Sequence, residues 1–481
     1  MKRLALLIFG LVFMASMAEG QFNYTTNNGT ITITGYTGAG GVATVPNTIN
    51  GLPVTTIGGS AFASSSVASV ILPNSITNIL YEAFIYCANL TNVTVPASVI
   101  QIQNFAFLGC PLLDNIAVDP QNAFYSSLNG VLFDKNQTQL IQCPETKTGT
   151  YAIPDTVSSI GSEAFYGCGG LTNVTLGSLV SSISTGGGDM FFSCTNLVAI
   201  TVKTNNTFFS SIGGVLFNKS GTTLVLYPNG RAGSYAVPNG TTSIGYSAFY
   251  LRPGLTSVAI PASLASIADG AFNSCGALAS FTVDGKNAVF SSFNGVLFDK
   301  LQTTILLFPP ANPATSYTIP ASVKNIYNSA FIDCGGLRSV TIGGGVTNIG
   351  SDAFLFCPGI TGFFFLGNPP IGDPTAFQGE TGATAYYLPG TTGWTTNYDG
   401  LPTALGTLPY PVILNSGLKG GGFGFTVSWL TNIPVVVEAA TTFSNPVWAP
   451  LQTNVPSGGM IQFLDLNWNN YPNRFYRART P

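Results

Sequence analysis

The cysteines are the most reactive side chains in this sequence, and seven of the eight occupy one position of a recurring pattern. Cys87, Cys110, Cys168, Cys194, Cys275, Cys334 and Cys357 each follow a phenylalanine by three residues, while Cys143 lies apart. Thiols placed this way could pair, bind a soft metal or fill a core. Ser65 and Arg252 take the same position in two further copies, and no C-x-x-C pair occurs. A column of small, buried, reduced thiols therefore fits better than a disulfide framework, because cysteine packs as a small hydrophobe. A line of thiolates does not make a tetrahedron, so no metal site is expected.

The other chemistry-bearing groups are sparse. Histidine is absent, which removes Ser-His-Asp and Cys-His catalysis and every zinc site that needs imidazole. The carboxylates Asp119, Asp134, Glu163, Asp189, Asp269, Asp284, Asp299 and Asp352 are scattered. Asp134 and Asp299 recur in one cassette, but Asn218 replaces them in its middle copy, which suits a turn better than a catalytic acid. Glu163 precedes a phenylalanine at a turn expected to face solvent. Asp189 follows Gly186, Gly187 and Gly188 on an irregular loop, a place for a calcium or ligand contact. Glycoside chemistry, needing two carboxylates about 5–10 Å apart, is the one enzymatic reading left as a remote alternative. No catalytic residue, cofactor or metal ligand is assigned, and the chain is read as a non-enzyme. With 16 Lys plus Arg and a net charge of -3, no basic stripe exists to meet a phosphate backbone, so nucleic acid is not an expected partner.

The elements that carry these residues come from a repeat. Phenylalanine anchors stand at Phe62, Phe84, Phe107, Phe165, Phe191, Phe249, Phe272, Phe331, Phe354 and Phe377, mostly 22 or 23 residues apart when adjacent. A leucine or isoleucine follows most anchors by six residues, as in Leu90, Leu113, Leu171 and Leu337. Then comes an alternating run such as Val93-Thr94-Val95, a short strand with one face buried. Pro96, Pro261 and Pro320 end such strands, and Ile79, Ile160 and Ile326 form a further inward column. Gly161 to Phe165 reads as a short helical or 3₁₀ turn. One such unit cannot bury its own apolar face, so the units must stack. Three longer intervals hold a cassette, Asn129-Gly130-Val131-Leu132-Phe133-Asp134 in its first copy, read as a projecting hairpin recurring about every 83 residues.

These residues resemble the BspA-like leucine-rich repeats of bacterial surface antigens. The unit Ile160-Gly161, Ala164-Phe165, Cys168, Leu171, Val174, Leu176 matches that family's signature, with Gly177 where the family has proline. The resemblance implies a scaffold that is secreted or surface-attached and biased toward adhesion; it brings no catalytic residue. The fold expected is a β-rich solenoid of 23-residue units with periodic hairpin insertions, followed by a small all-β sandwich.

Lys2, Arg3 and the apolar run Leu4 to Met17 read as a signal peptide spanning 1–20, too short for an ordinary membrane span. Residues 21–56 are expected to cap the array, 57–406 to form the solenoid with its C-terminal cap, 407–411 a linker, and 412–481 the small β domain of four or five strands. Arg474, Arg477 and Arg479 crowd the last stretch. Two readings stand: a module like those of exported Verrucomicrobia-type proteins, serving sorting or retention, or arginines that clamp the last strand edge.

Between inward strand residues lie Asn92, Thr94, Asn173, Thr175, Thr201, Ser257, Thr282, Ser339 and Thr341, an outward ridge of hydroxyls and amides. Such a ridge is a wetted sheet face or a track for an extracellular protein or glycan. Self-association into a cell-surface or matrix component is the alternative, since only 7% of residues are charged. The expected destination is outside the cell or at its surface, with no membrane span in the mature chain.

Overall fold

The structure, a computed structural model, describes residues 21–183, 190–406, 411–429, 433–444 and 446–480. The signal-peptide stretch, the loop around Asp189, most of the 407–411 linker and Asn445 lie outside the described residues. By its internal contacts the chain divides into one unit of residues 1–233, 238–255 and 263–275, and a second of 234–237, 256–262 and 276–481.

In the first unit each coil contributes one strand to each of two walls. Along one wall, strands Gly41–Thr44, Val67–Ile71, Asn92–Val95 and Asn115–Val118 pair in parallel. Asn92–Val95 alternates exposed and buried, so Val93 and Val95 point inward. Parallel register sets Val93 against Ile116 and Asn92 against Asn115, stacking like on like. The opposite wall uses two-residue strands such as Asn78–Ile79 and Gln101–Ile102, whose first isoleucine is fully buried. At the N-terminal end the antiparallel pair Phe22–Asn27 and Thr30–Tyr36 covers the first anchor, with Tyr36 stacked on Phe62 at 5.2 Å.

The third side of each coil is the anchor turn, and it is not helical. Among the described residues the one helical segment is the 3₁₀ turn Trp468–Asn470. The backbone N–H groups of Phe62 and Ser64 donate to Ala83 and Ile85 of the next coil, while those between them donate back within their own coil. The same alternation joins Phe84 to Ala106 and Tyr86 to Leu108, and in the second unit Phe331 to Ala353 and Asp333 to Leu355. It requires left-handed residues two before and two after the anchor. Glu82 and Tyr86 sit at φ of 59° and 57°, and Ser329 and Asp333 at 53° and 62°. A helix would send every N–H along its own axis; here half must point sideways. Non-glycine residues held left-handed cost about 1–3 kcal/mol each, so the coil-to-coil bonds and buried phenylalanines must over-determine them.

The three cassettes are built into the walls rather than projecting. Val131, Leu132 and Phe133 are all fully buried, as are Val215, Leu216 and Phe217. The strands Tyr125–Leu128 and Val131–Asp134 form an antiparallel hairpin whose second strand pairs with Gln139–Gln142, which then joins Ser159–Ile160 in parallel. At the tip, Asn129 and Gly130 have φ of 52° and 81°, the pair of left-handed residues that a two-residue hairpin turn demands. Gly130 O accepts from Ile116 N on the other wall, as Gly214 O does from Ile200 N and, in the second unit, Gly295 O from Phe281 N. A run of three apolar residues with no polar alternation belongs inside, which is why the hairpin cannot project.

A buried asparagine locks each cassette. Asn206 is fully buried; its Nδ2 donates to Gly177 O and Val180 O, and its Oδ1 accepts from Phe208 N and Phe209 N, all at 2.8 Å. Asn122 does the same toward Pro96, Val99, Phe124 and Tyr125. Further on, Cys143, Tyr227 and Phe308 take the anchor place in the cassette coils. Their N–H groups donate to Ala164, Ala248 and Ala330 as an ordinary anchor's does.

In the second unit the wall runs Ser316–Thr318, Ser339–Ile342, Gly362–Phe365, Thr384–Tyr387 and Leu401–Leu405. Later in the chain, among the described residues, come two three-stranded sheets, six strands where four or five were expected. They pack Phe425, Val427, Trp429, Val435, Val437 and Phe463 between them.

The asparagine lock gives a first prediction. Asn206→Leu strands two acceptors and two donors in a dry site, and should cost about 2–5 kcal/mol in denaturant unfolding. Asn205→Ala, at the exposed neighbour, should stay within about 0.5 kcal/mol.

Candidate binding face and thiol column

The thiol column exists, with a bond that spacing alone did not suggest. All eight cysteines are buried thiols. In the first unit, Cys87, Cys110, Cys194 and Cys275 direct Sγ at the carbonyls of Phe62, Phe84, Phe165 and Phe249, at 3.0, 3.1, 3.0 and 2.9 Å. In the second, Cys334 and Cys357 reach Phe308 O and Phe331 O at 3.6 and 2.9 Å. Each thiol is thus a weak donor to the anchor carbonyl of the preceding coil. Arg252, fully buried, performs the same act with Nε at 2.5 Å from Tyr227 O. Burial, with Cys357 beside it, pushes the Cys334 thiol well above its ordinary value. That thiol does not ionise at neutral pH and is a poor nucleophile. Among the described residues no group of three or more Cys, Asp and Glu side chains is arranged to hold a metal ion.

The acids serve turns. Asp134 Oδ1 accepts from Thr138 N and Gln139 N at 2.6 and 2.8 Å, and Asp299 repeats this with Thr303 and Thr304. Asn218 accepts from Thr223 N in the middle copy. Glu163, expected to face solvent, is half-buried, and that burial raises its carboxyl above the usual value.

Glu145 is an acid the sequence did not single out. It stands two residues after Cys143, where Pro144 removes the N–H of an ordinary anchor turn. Burial pushes its carboxyl up to about 7, against the opposing pull of the Cys110 and Gly109 N–H groups. Its Oε1 is buried without a hydrogen-bond partner.

The outward ridge is real residue by residue but is divided. Asn92, Thr94 and Thr282 are exposed, and Asn173, Thr175, Thr201, Ser257, Ser339 and Thr341 are half-exposed. They lie on four separate sheets, because each cassette tip takes the place of a strand in this wall. Within one sheet they meet: Thr175 and Thr201 hydroxyls are 2.8 Å apart, and Asn173 Nδ2 lies 3.3 Å from Thr201 Oγ1. Ser257 faces Ser280, with Ala259 beside Thr282, and Thr341 sits between Thr318 and Phe364. Sequence reading missed the aromatic members of this face, Phe364 and Tyr386. Their place after Phe363 and Ala385 in alternating strands was the available signal.

At the C-terminus the arginines clamp strands. Glu438, 3% exposed, receives Arg477 Nε at 2.7 Å and Arg479 Nε at 2.9 Å. Arg474 Nε lies 2.6 Å from Asp465, whose Oδ2 also accepts from Tyr476 OH at 2.9 Å.

Comparison with known proteins places the array. The BspA-type leucine-rich repeat region, in six copies, matches residues 55–150, 142–232, 226–302 and 307–392, well over half of the chain. The chain belongs to this family of leucine-rich repeat proteins. Among solved structures, a leucine-rich cell surface protein from Faecalibacterium prausnitzii is 26% identical, over 72% of this chain and 94% of its own, with a TM-score of 0.42. The pneumococcal vaccine antigen PcpA is 17% identical over 76% of this chain and 92% of its own, with a TM-score of 0.37. A leucine-rich repeat protein from Bacteroides ovatus is 21% identical over 80% and 97%, with a TM-score of 0.29. No curated protein matches the chain. No helix among the described residues is long and apolar enough to cross a membrane.

Two outcomes follow from these sites. Alkylation of native protein should label none of the eight thiols, and alkylation after unreduced denaturation should label all of them by mass; four disulfides would contradict the column. Glu145 binds its proton more tightly folded than unfolded, so stability is lost as pH rises from about 4.5 through about 7. Glu145→Gln keeps an acceptor without the charge. It should flatten that pH dependence and raise the melting temperature at pH 8 by a few degrees, roughly, with little change at pH 4.

Proposed function

We propose that the chain is exported and recognises an extracellular protein or glycan through the outward faces of its strand walls, with the C-terminal β sheets attaching or orienting the array. The observation that carries this reading is the set of outward hydroxyls and amides of Asn92, Thr94, Asn173, Thr175, Thr201, Ser257, Thr282, Ser339 and Thr341, carried on the faces of four sheets. Membership of the BspA-type leucine-rich repeat family supports it. The apolar stretch at 1–20 supports export. Asp134 and Asp299 are engaged in turns, and Glu438 and Asp465 in strand clamps, which supports binding over glycoside chemistry.

Because the face is uncharged, complementarity comes from hydrogen bonds and shape, and affinity should change little between low and physiological salt. Self-association is favoured by a different observation, the low charge of 7%, which leaves little repulsion between copies.

The test uses the full mature chain, its Thr175→Arg and Thr341→Arg variants, and screens against whole cells, matrix proteins and glycans, with oligomeric state measured in parallel. A monomer whose saturable binding falls about tenfold or more in either variant, at unchanged stability, is the expected result. Reversible assembly through these faces, without any foreign ligand, would establish self-association instead.

A further inference from the structure

The outward row holding Thr341 changes character once. In strand Ser339–Ile342 it presents Thr341, preceded in its sheet by Thr318 of Ser316–Thr318. In the next two strands, Gly362–Phe365 and Thr384–Tyr387, it presents Phe364 and Tyr386. Elsewhere this row is Thr94, Ala117, Thr175, Thr201, Ala259 and Thr282, with no ring among them. Phe364 and Tyr386 stack, with centroids 5.1 Å apart and planes 14° from parallel, and both stay half-exposed.

Their neighbour in the parallel row explains how they lie. That row reads Ser316, Ser339, Gly362, Thr384 across four strands. Gly362 is buried although it faces outward, because the rings cover it. A Cβ there would meet a Tyr386 ring carbon at 3.1 Å and Phe364 ring carbons at 3.2 and 3.3 Å. The missing side chain lets both rings lean over the strand. The rings therefore form a platform beside the hydroxyls of Ser339, Thr341 and Thr384.

We infer that this platform is a subsite for a neutral, β-linked oligosaccharide, an assignment that rests on the recognition reading above and narrows its ligand. A pyranose offers an apolar C–H face and a rim of hydroxyls, and the patch offers aromatic surface beside hydroxyls that both donate and accept. Strands in this wall repeat every ~4.8 Å, close to the length of one sugar in an extended β-linked chain. Successive sugars laid across the strands would meet successive rows. Charge selects further. The nearby guanidinium of Arg338 is turned onto the backbone, its Nη1 at 2.9 Å from Gly335 O and 3.2 Å from Leu337 O. Arg338 is exposed but anchored in this way, so an acidic polysaccharide or phosphate group would meet one backbone-bonded guanidinium rather than a cluster of cations. A protein partner would need about 800 Å² of its own surface buried, far more than two half-exposed rings supply.

The test is calorimetric titration of the full mature chain with cellohexaose and laminarihexaose, and with polygalacturonate as the acidic comparator. Phe364→Leu with Tyr386→Leu keeps apolar volume while removing the rings, and Thr175→Arg probes the face of the other unit. The expected result is saturable binding of at least one neutral hexasaccharide, weakened about tenfold or more in the double variant. Melting temperature should be unchanged, and polygalacturonate should not bind. Neutral binding unaffected by the double variant but lost in Thr175→Arg overturns this site and leaves the recognition reading standing. So does binding of a protein ligand with neither hexasaccharide bound. Preference for polygalacturonate overturns the neutral assignment, and a chain that binds no saccharide and no protein loses both.

Discussion

The N–H groups of an anchor phenylalanine and of the residues two places to either side reach the carbonyls of the following coil, and the rest of the fold is organised around that sideways bonding. It forces left-handed backbone at residues as unsuited to it as Tyr86, Phe105 and Leu251. The compensation is a buried ring at each anchor. Phe84 and Phe107 stack at 5.4 Å, Phe249 and Phe272 at 4.8 Å, Phe331 and Phe354 at 4.7 Å. The column of thiols is a consequence. An anchor carbonyl has a second lone pair facing the next coil, and a residue small enough to sit there while donating weakly is cysteine. Serine at 65 and arginine at 252 are other answers to the same demand.

Much of this was legible in the residues. Phenylalanine spacing set the coil, alternation set the strand face, and the constant place of cysteine set its burial. The misses have physical causes. Tyr227 and Phe308 were not seen as anchors, because the cassette resets the spacing and a proline follows each. The short helical or 3₁₀ turn expected at Gly161 to Phe165 gives way to inter-coil bonding, and the left-handed positions are glycine in only some coils, at Gly109, Gly167 and Gly270, with Glu82, Tyr86 or Leu251 in others. The cassettes looked like projections because hairpins of similar sequence are usually exposed, yet Val131, Leu132 and Phe133 lack the polar alternation an exposed hairpin keeps. The buried asparagines escaped notice because a polar residue in a loop of polar residues gives no signal until its four partners are in place.

On the recognition reading proposed above, the division of the outward ridge decides the kind of ligand. A continuous track would suit one long ligand lying along many coils. Segments separated by cassette tips instead offer a few short faces, each with its own chemistry: amide and hydroxyl at Asn173, Thr175 and Thr201, hydroxyl and aromatic at Thr341, Phe364 and Tyr386. The backbone beneath is fixed by its own bonds, so these side chains are held on a surface that pays little to become ordered on binding. Exchange of outward residues leaves the stacking untouched, which under the proposed recognition role would let one scaffold carry different specificities.

Amide hydrogen exchange on the full chain tests the coil-to-coil bonding most directly. The account predicts that the anchor-turn amides of Phe84, Tyr86, Phe249, Phe331 and Phe354 exchange as slowly as those of the strands Asn92–Val95 and Ser339–Ile342. Exchange at those turns as fast as at the exposed cassette residue Asn136 would show turns not bonded to their neighbours, and the account would fail at its base.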